Sequence, residues 1–143
     1  MGQNEMDAVL PMIHRTIKLG FYILVPLGIL VLLIPETVIA IYTDDVSLMA
    51  AGVAPLFVLV FAYAFTIPQR VLLSAVLGTG NTKEALWIEF AALVVYILYI
   101  YVVIFYYKSP LWVCWTCEFV YGIPSMLMAW KYLHDNRWRM KKI

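Results

Sequence analysis

Four long hydrophobic stretches alternate with short polar segments along the chain. They cover about residues 19–41, 46–78, 85–107 and 111–131. A helix of about 20 residues is needed to cross the hydrocarbon core of a bilayer, and lipid offers no partner to unpaired backbone groups. The pattern therefore predicts an all-α, polytopic membrane protein with four transmembrane helices. The short turns between the stretches predict that neighbouring helices run antiparallel in a bundle.

Composition agrees with lipid as the surroundings of most side chains. Hydrophobic residues make up 64% of the 143 residues and charged residues 13%, whereas soluble domains contain about 45–50% and about 25%. So few charges cannot form a polar shell around a soluble core. We expect the lipid bilayer to be the principal partner of the chain.

The basic residues predict the orientation in the membrane. With four crossings, both chain ends and the turn between the second and third spans share one face. Nine of the ten Lys and Arg residues belong to that face, and only Lys108 to the other: Arg15, Lys18, Arg70, Lys83, Lys131, Arg137, Arg139, Lys141 and Lys142. Cytoplasmic loops are enriched in Lys and Arg. We therefore expect a multi-pass protein of the plasma membrane, most simply of a bacterial inner membrane. Both of its termini are expected to lie in the cytoplasm.

The two ends of the chain differ from the spans. Residues 1–18 are predicted to be a cytoplasmic amphipathic lead-in, because Met6, Val9, Ile13 and Ile17 recur at helical spacing opposite polar residues. Residues 132–143 are predicted to be a basic cytoplasmic tail. The lead-in would lie along the inner membrane surface.

Polar residues inside the spans are the candidates for function. Glu118 lies well inside the fourth span with Tyr121 on the same helical face, and Gln69 belongs to a polar stripe on the second span with Thr66. Because an ionisable residue in a membrane is costly, it is a functional candidate by default. Glu118, Tyr121 and Gln69 are therefore predicted to line a transport path. Hydrogen-bonded contacts between helices are the alternative.

Arg70 and Glu89 have a different predicted role. Arg70 lies before the end of the second span and Glu89 after the start of the third, so the turn between the spans brings them to similar depths. We predict a structural ion pair between them.

Catalytic, metal and cofactor motifs are missing from the sequence. Cys114 and Cys117 form a Cys-x-x-Cys pair within an apolar helix, without a second pair or a histidine to complete a zinc site. A packed, reduced pair is the expected state. No nucleophile and base, metal cluster or cofactor loop is recognisable, so we expect neither an enzyme nor a cofactor, and no nucleic-acid partner.

Several segments together resemble the multidrug and toxic compound extrusion (MATE) transporters. A Gly-Gln-Asn-Glu loop at 2–5 precedes a basic amphipathic lead-in, and Ile-Pro-Glu-Thr-Val-Ile-Ala-Ile-Tyr-Thr-Asp-Asp follows at 34–45. Residues 71–83, ending in Gly-Thr-Gly-Asn-Thr-Lys, are similar to the helix-end turn of that family. The fourth span begins with a Trp and carries an acid, as in many members.

The resemblance implies that the spans are the last four of twelve helices, most of a second lobe. Members of that family exchange cationic or aromatic compounds for Na⁺ or H⁺, so one of these is the implied coupling ion. The implied partners are such small substrates and a missing N-terminal lobe. That lobe carries the membrane-embedded Asp used for coupling in many members, and span two has no acid between Asp45 and Glu84. We therefore expect a fragment, truncated gene or split subunit that is incomplete alone.

Other interpretations remain open at this stage. A self-contained four-helix protein acting as a homodimeric small multidrug carrier would require an essential acid on its dimer face, and Glu118 is the deep candidate. A non-transport accessory subunit would tolerate changes at both Glu89 and Glu118. A related lipid-linked sugar flippase is also compatible with the sequence.

Overall fold

Helices dominate the part of the chain that the structure describes. The structure is a computed structural model, and it describes residues 8–135. Four segments in that range are long and apolar enough to cross a membrane: Val9–Leu33, Val46–Gly78, Thr82–Tyr106 and Leu111–His134. The predicted all-α fold with four transmembrane spans is confirmed.

The first span is a longer helix than predicted, followed by a break. Helix α1 runs from Val9 to Leu33, and helix α2 covers Pro35–Ala40. The described part of the predicted lead-in is therefore continuous with the first span. The break falls at Ile34 because Pro35 has no amide hydrogen and disfavours a helical conformation of the residue before it. Residues 1–7, which include Met6 of the predicted amphipathic stripe, lie outside the described residues.

Helix α3 covers Val46–Gly78, the same range as the predicted second span. The carboxylate of Asp45 caps its first turn by accepting a hydrogen bond from the Ser47 amide at 2.8 Å. After its last turn the chain reverses at Gly80, whose φ of 78° lies in the left-handed region that glycine adopts without a side-chain clash. A helix of 33 residues is about 50 Å long, so α3 has to tilt or extend beyond the hydrocarbon core.

The third span changes its helical type before it ends. Helix α4 runs from Thr82 to Tyr101 and continues as a π-helical turn over Val102–Tyr106. Lys108 then adopts a φ of 47° in the turn to the fourth span. The span thus ends close to the predicted boundary at residue 107.

The fourth span consists of two helices, α5 (Leu111–Trp115) and α6 (Cys117–His134). The hydroxyl of Thr116 donates to the Val113 carbonyl at 2.6 Å, and its oxygen accepts from the Tyr99 hydroxyl at 2.5 Å. A side chain that hydrogen-bonds its own backbone in this way competes with the regular helix. Of the predicted basic tail at 132–143, the structure describes residues 132–135, and α6 includes the first three of them.

Helices α3 and α6 form the centre of the bundle. Helix α3 packs against α1, α4 and α6, while α6 packs against α3 and α4. The buried core lies near the end of the bundle that holds the α3–α4 turn, and it comprises Ile13, Leu72, Leu73, Val76, Ala85, Ile88, Ala129 and Leu133. At the same end the Asn81 amide nitrogen donates to the Tyr132 hydroxyl at 2.9 Å. These contacts fix α3, α4 and α6 relative to one another.

Candidate functional site

The polar side chains inside the bundle gather where α3, α4 and α6 meet. Gln69 and Arg70 come from α3, Glu89 from α4, and Glu118 and Tyr121 from α6. All five were singled out from the sequence. The structure brings Gln69, Arg70 and Glu89 around the Tyr121 hydroxyl, and Glu118 lines a cavity beside α3 together with Arg70.

Glu89 and Tyr121 form a side-chain hydrogen bond between α4 and α6. The Tyr121 hydroxyl donates to Glu89 Oε2 at 2.5 Å, and both side chains are half-buried. The Tyr121 ring also contacts Tyr96 edge to face, with ring centroids 6.0 Å apart. Tyr96 lies two turns beyond Glu89 on the same side of α4, so both residues hold Tyr121 in place.

Gln69 is the most deeply buried polar residue of the group. Its side chain is 0% exposed, and neither its amide oxygen nor its amide nitrogen has a hydrogen-bond partner. The amide faces the Tyr121 hydroxyl without forming a hydrogen bond of normal geometry. Burying a polar group without a hydrogen-bond partner costs free energy. The unpartnered Gln69 amide therefore destabilises this interface.

The predicted ion pair between Arg70 and Glu89 is not formed in the structure. The carboxylate of Glu89 accepts from Tyr121 instead, while Arg70 is exposed on α3 and lies within electrostatic range of the Tyr121 hydroxyl. The reason is the position of α6, which packs against both α3 and α4 and places Tyr121 next to Glu89. The spacing of Arg70 and Glu89 across the α3–α4 turn gives no information about α6, which comes later in the chain and packs against both helices.

Glu118 lies on the wall of a cavity between α3 and the fourth span. The cavity has a volume of about 620 Å³ and contains the side chains of Arg70, Thr66, Tyr63 and Trp115 as well as Glu118. The Glu118 carboxylate is half-buried and makes no hydrogen bond or ion pair with a described residue. A cavity lined by a carboxylate and aromatic side chains is suited to an organic cation, which is attracted both to the charge and to the aromatic faces.

Sequence reasoning missed two aromatic residues of the site, Tyr63 and Tyr96. A signal was available for Tyr96, because it follows Glu89 at a spacing of seven and so shares its helical face. Tyr63 follows Ala62, which belongs to the predicted polar stripe, but aromatic residues are so frequent in this chain that neither position stood out.

The two cysteines of the Cys-x-x-Cys pair do not form a disulfide. Cys114 and Cys117 are free cysteines, Cys117 being buried and Cys114 half-buried. Across residues 8–135 no group of three or more His, Cys, Asp or Glu side chains has the arrangement needed to hold a metal ion.

Most of the chain matches a known protein family. The MatE family matches residues 1–102, well over half of the chain and the part that extends through α4. Glu118 and Tyr121 lie beyond the matched residues. Neither the curated proteins nor the solved structures give a match. The family consists of membrane transporters and not enzymes, which agrees with four membrane-length helices. The resemblance to the MATE transporters is thus confirmed, and this chain belongs to the MatE family.

Proposed function

We propose that the chain forms the carboxyl-terminal part of a cation-coupled multidrug antiporter, which exports cationic or aromatic compounds in exchange for Na⁺ or H⁺. The cavity that holds Glu118 supports the proposal most directly. Its lining includes Tyr63 and Trp115 as well as Glu118, and binding sites for organic cations combine a negative charge with aromatic faces. Arg70 belongs to the opposite wall on α3, so we expect a bound cation to lie on the Trp115 side.

Tyr121 and Gln69 belong to a second part of the proposed path, outside the cavity that holds Glu118. Both contribute to the interface between α3, α4 and α6, and neither is on the wall of the cavity that holds Glu118. In carriers that alternate between two openings, helices move against each other around the binding site. Tyr121 and Gln69 would line the path when α3 and α6 separate.

An exposed polar face supports the proposal that the chain needs an additional lobe. Arg70, Ser74 and Thr16 are exposed beside two neighbouring cavities along α3. Lipid is a poor solvent for an arginine within a span. A first lobe covering this face would give Arg70 polar surroundings, and the assembled transporter would lie in the plasma membrane, with a bacterial inner membrane as the expected location.

The role of Glu118 is tested by efflux from cells that produce the complete transporter. We expect Glu118→Gln to slow export of a fluorescent organic cation by about ten- to a hundredfold, because a charge-assisted contact is typically worth about 1.5–3 kcal/mol. Glu36→Gln is the matched control, since Glu36 lies in α2, outside the Glu118 cavity, and is exposed. Unchanged export by Glu118→Gln would exclude Glu118 as a substrate-binding group.

The need for another lobe is tested with the 143-residue chain alone. We expect cells that produce only this chain to export no more dye than cells without it. Dye export by the chain alone, accompanied by crosslinked dimers, would instead favour the self-contained homodimeric carrier.

A further inference from the structure

Three polar side chains at the α3–α4–α6 interface have an incomplete set of hydrogen bonds. Tyr121 donates to Glu89 Oε2, whereas the oxygen and nitrogen of the fully buried Gln69 amide have no partners. The Gln69 amide faces the hydroxyl of the same tyrosine. The interface therefore contains one acceptor and one donor that lack a partner next to an existing hydrogen bond.

The protonation state of Glu89 determines whether that acceptor can be satisfied. An ionised carboxylate only accepts hydrogen bonds, so it has nothing to donate to the Gln69 oxygen. A protonated carboxyl group has one O–H to donate. The Tyr121 oxygen keeps a lone pair while its hydroxyl donates to Glu89, and this lone pair matches the unpartnered nitrogen of Gln69.

We propose that Glu89 is a reversibly protonated carboxyl group whose neutral form closes a ring of hydrogen bonds with Gln69 and Tyr121. In the ring, the Glu89 O–H donates to Gln69 Oε1, the Gln69 Nε2–H donates to the Tyr121 oxygen, and the Tyr121 O–H donates to Glu89 Oε2. One proton is taken up from water when the ring forms and returns to water when it opens. No other bond is made or broken.

The groups around the hydrogen bond between Glu89 and Tyr121 come from all three helices. From α6, Tyr121 faces the carboxylate, and from α3, Arg70 and Gln69 face the Tyr121 hydroxyl. On α4 itself, Tyr96 packs its ring against Tyr121. Glu118, also on α6, lies within electrostatic range of Tyr96 and Cys117.

Closing the ring links three helices, whereas the ionised state links only α4 and α6. Uptake of a proton would therefore tighten the contact of α3 with α4 and α6, and its release would loosen that contact. The biological role of this site rests on the proposed antiport function. In that function, the proton would be the coupling ion and Glu89 the residue that carries it.

Infrared difference spectroscopy between acidic and alkaline buffer tests the proposal on the purified 143-residue chain in lipid bilayers. A protonated carboxyl group has its own C=O stretching band. We expect such a band to appear on acidification, to be lost in Glu89→Gln and to be retained in Glu84→Gln, which alters an exposed acid in the first turn of the same helix. Glutamine resembles the neutral carboxyl group in shape, so the Glu89 variant should fold.

Two further variants test the ring itself. In the ring, the neutral Glu89 carboxyl group accepts from the Tyr121 hydroxyl and donates to the Gln69 amide oxygen, and hydrogen bonds lower the C=O stretching frequency of a carboxyl group. We therefore expect the Glu89 band to move to a higher frequency in Tyr121→Phe and in Gln69→Met. An unchanged band frequency in Gln69→Met would overturn the ring.

Other outcomes separate this proposal from the proposed function. A band that persists in Glu89→Gln overturns the proposal, as does loss of the Glu89 band when Na⁺ is added at constant pH, which would identify a sodium site. The infrared measurement does not require transport. Drug export by the complete transporter without a Glu89 band would refute the proton site and leave the transport function standing. A Glu89 band in a protein without drug export would do the reverse.

Discussion

At the residue scale, the spans contain two kinds of polar side chain. The hydroxyl groups of Thr and Ser donate hydrogen bonds to backbone carbonyls of their own helix: Thr16 donates to the Met12 carbonyl at 2.9 Å, and Ser125 donates to the Tyr121 carbonyl at 3.0 Å. Such residues need no neighbour and carry no charge into lipid. Gln69 cannot do the same, because its amide has both a donor and an acceptor to satisfy. A buried glutamine therefore depends on its neighbours in a way that a buried serine does not.

Asp45 gives a prediction at this scale. The pKa of its carboxyl group is lowered from the ordinary 3.8 by hydrogen bonds from the Ser47 hydroxyl and from the Ser47 and Leu48 amides. Because the pKa is lower in the folded state, the cap stabilises the first turn of α3 above the ordinary pKa, and this stabilisation is lost as the pH falls through the lowered value. We expect faster hydrogen exchange of the first-turn amides in Asp45→Ala at neutral pH.

The control for this experiment is Asp45→Asn. Asparagine also caps helices but does not titrate, so the first turn should stay protected at neutral pH and lose no further protection in acid beyond the intrinsic change in exchange rate. If Asp45→Ala exchanged like the unchanged protein, Asp45 would not be capping α3.

At the scale of elements, the packing of α1 on α3 depends on small residues. A Cβ atom at Gly20 would lie 2.7 Å from Cγ2 of Ile67, and one at Gly28 would lie 3.2 Å from Val60. Helices in membranes approach closely where small residues line their contact, since van der Waals packing holds them together. The sequence shows these glycines, but it does not show that they face α3.

Gly20→Ala is therefore expected to weaken the contact between α1 and α3. The added methyl group is too close to a branched side chain that cannot rotate away, and overpacking of this kind typically costs about 1–3 kcal/mol. The free energy of unfolding in detergent micelles, titrated with a denaturing detergent, measures the effect. The double variant Gly20→Ala with Ile67→Ala should recover part of the loss, because the clash is removed.

Gly122→Ala is the matched control for this substitution. Gly122 also lies within a helix, but a Cβ atom there would meet nothing within 4 Å. We expect its unfolding free energy to be unchanged or slightly higher, since alanine favours helix over glycine. Equal losses at both positions would contradict a specific contact between Gly20 and Ile67.

At the scale of the whole molecule, the bundle is unequal at its two ends. The buried core and the bond between Asn81 and Tyr132 lie at the end that holds the α3–α4 turn. Large apolar side chains are exposed along the rest of the bundle, among them Tyr22, Leu33 and Phe105. Such exposure suits side chains in contact with lipid, where apolar surface needs no cover.

The proposed orientation gives a prediction at this scale. In a chain whose Cys114 and Cys117 are replaced by serine, we expect a membrane-impermeant maleimide to label Asp44→Cys in intact cells. Lys83→Cys should be labelled only after the membrane is opened, because the positive-inside rule places the α3–α4 turn in the cytoplasm. The two positions control each other, and the reverse pattern would show that the termini face outward.

The sequence by itself determined the number of spans and their alternation. Whether a segment prefers lipid to water depends on its own composition, so hydropathy located all four segments, and the limits of α3 followed from the polar residues around Asp45 and Gly80. Local chemistry of this kind needs no information from the rest of the chain. Even the family resemblance depended on short segments read in order.

Only the tertiary structure decided which polar residues meet. Glu89 contacts Tyr121 and not Arg70, and Gln69 is buried without a partner. These outcomes depend on how far α4 and α6 are rotated and tilted against α3. Helix packing in lipid is set by many weak contacts summed over whole surfaces, and no single residue or spacing encodes that sum. The positions of the charged residues were therefore readable from the sequence, but their partners were not.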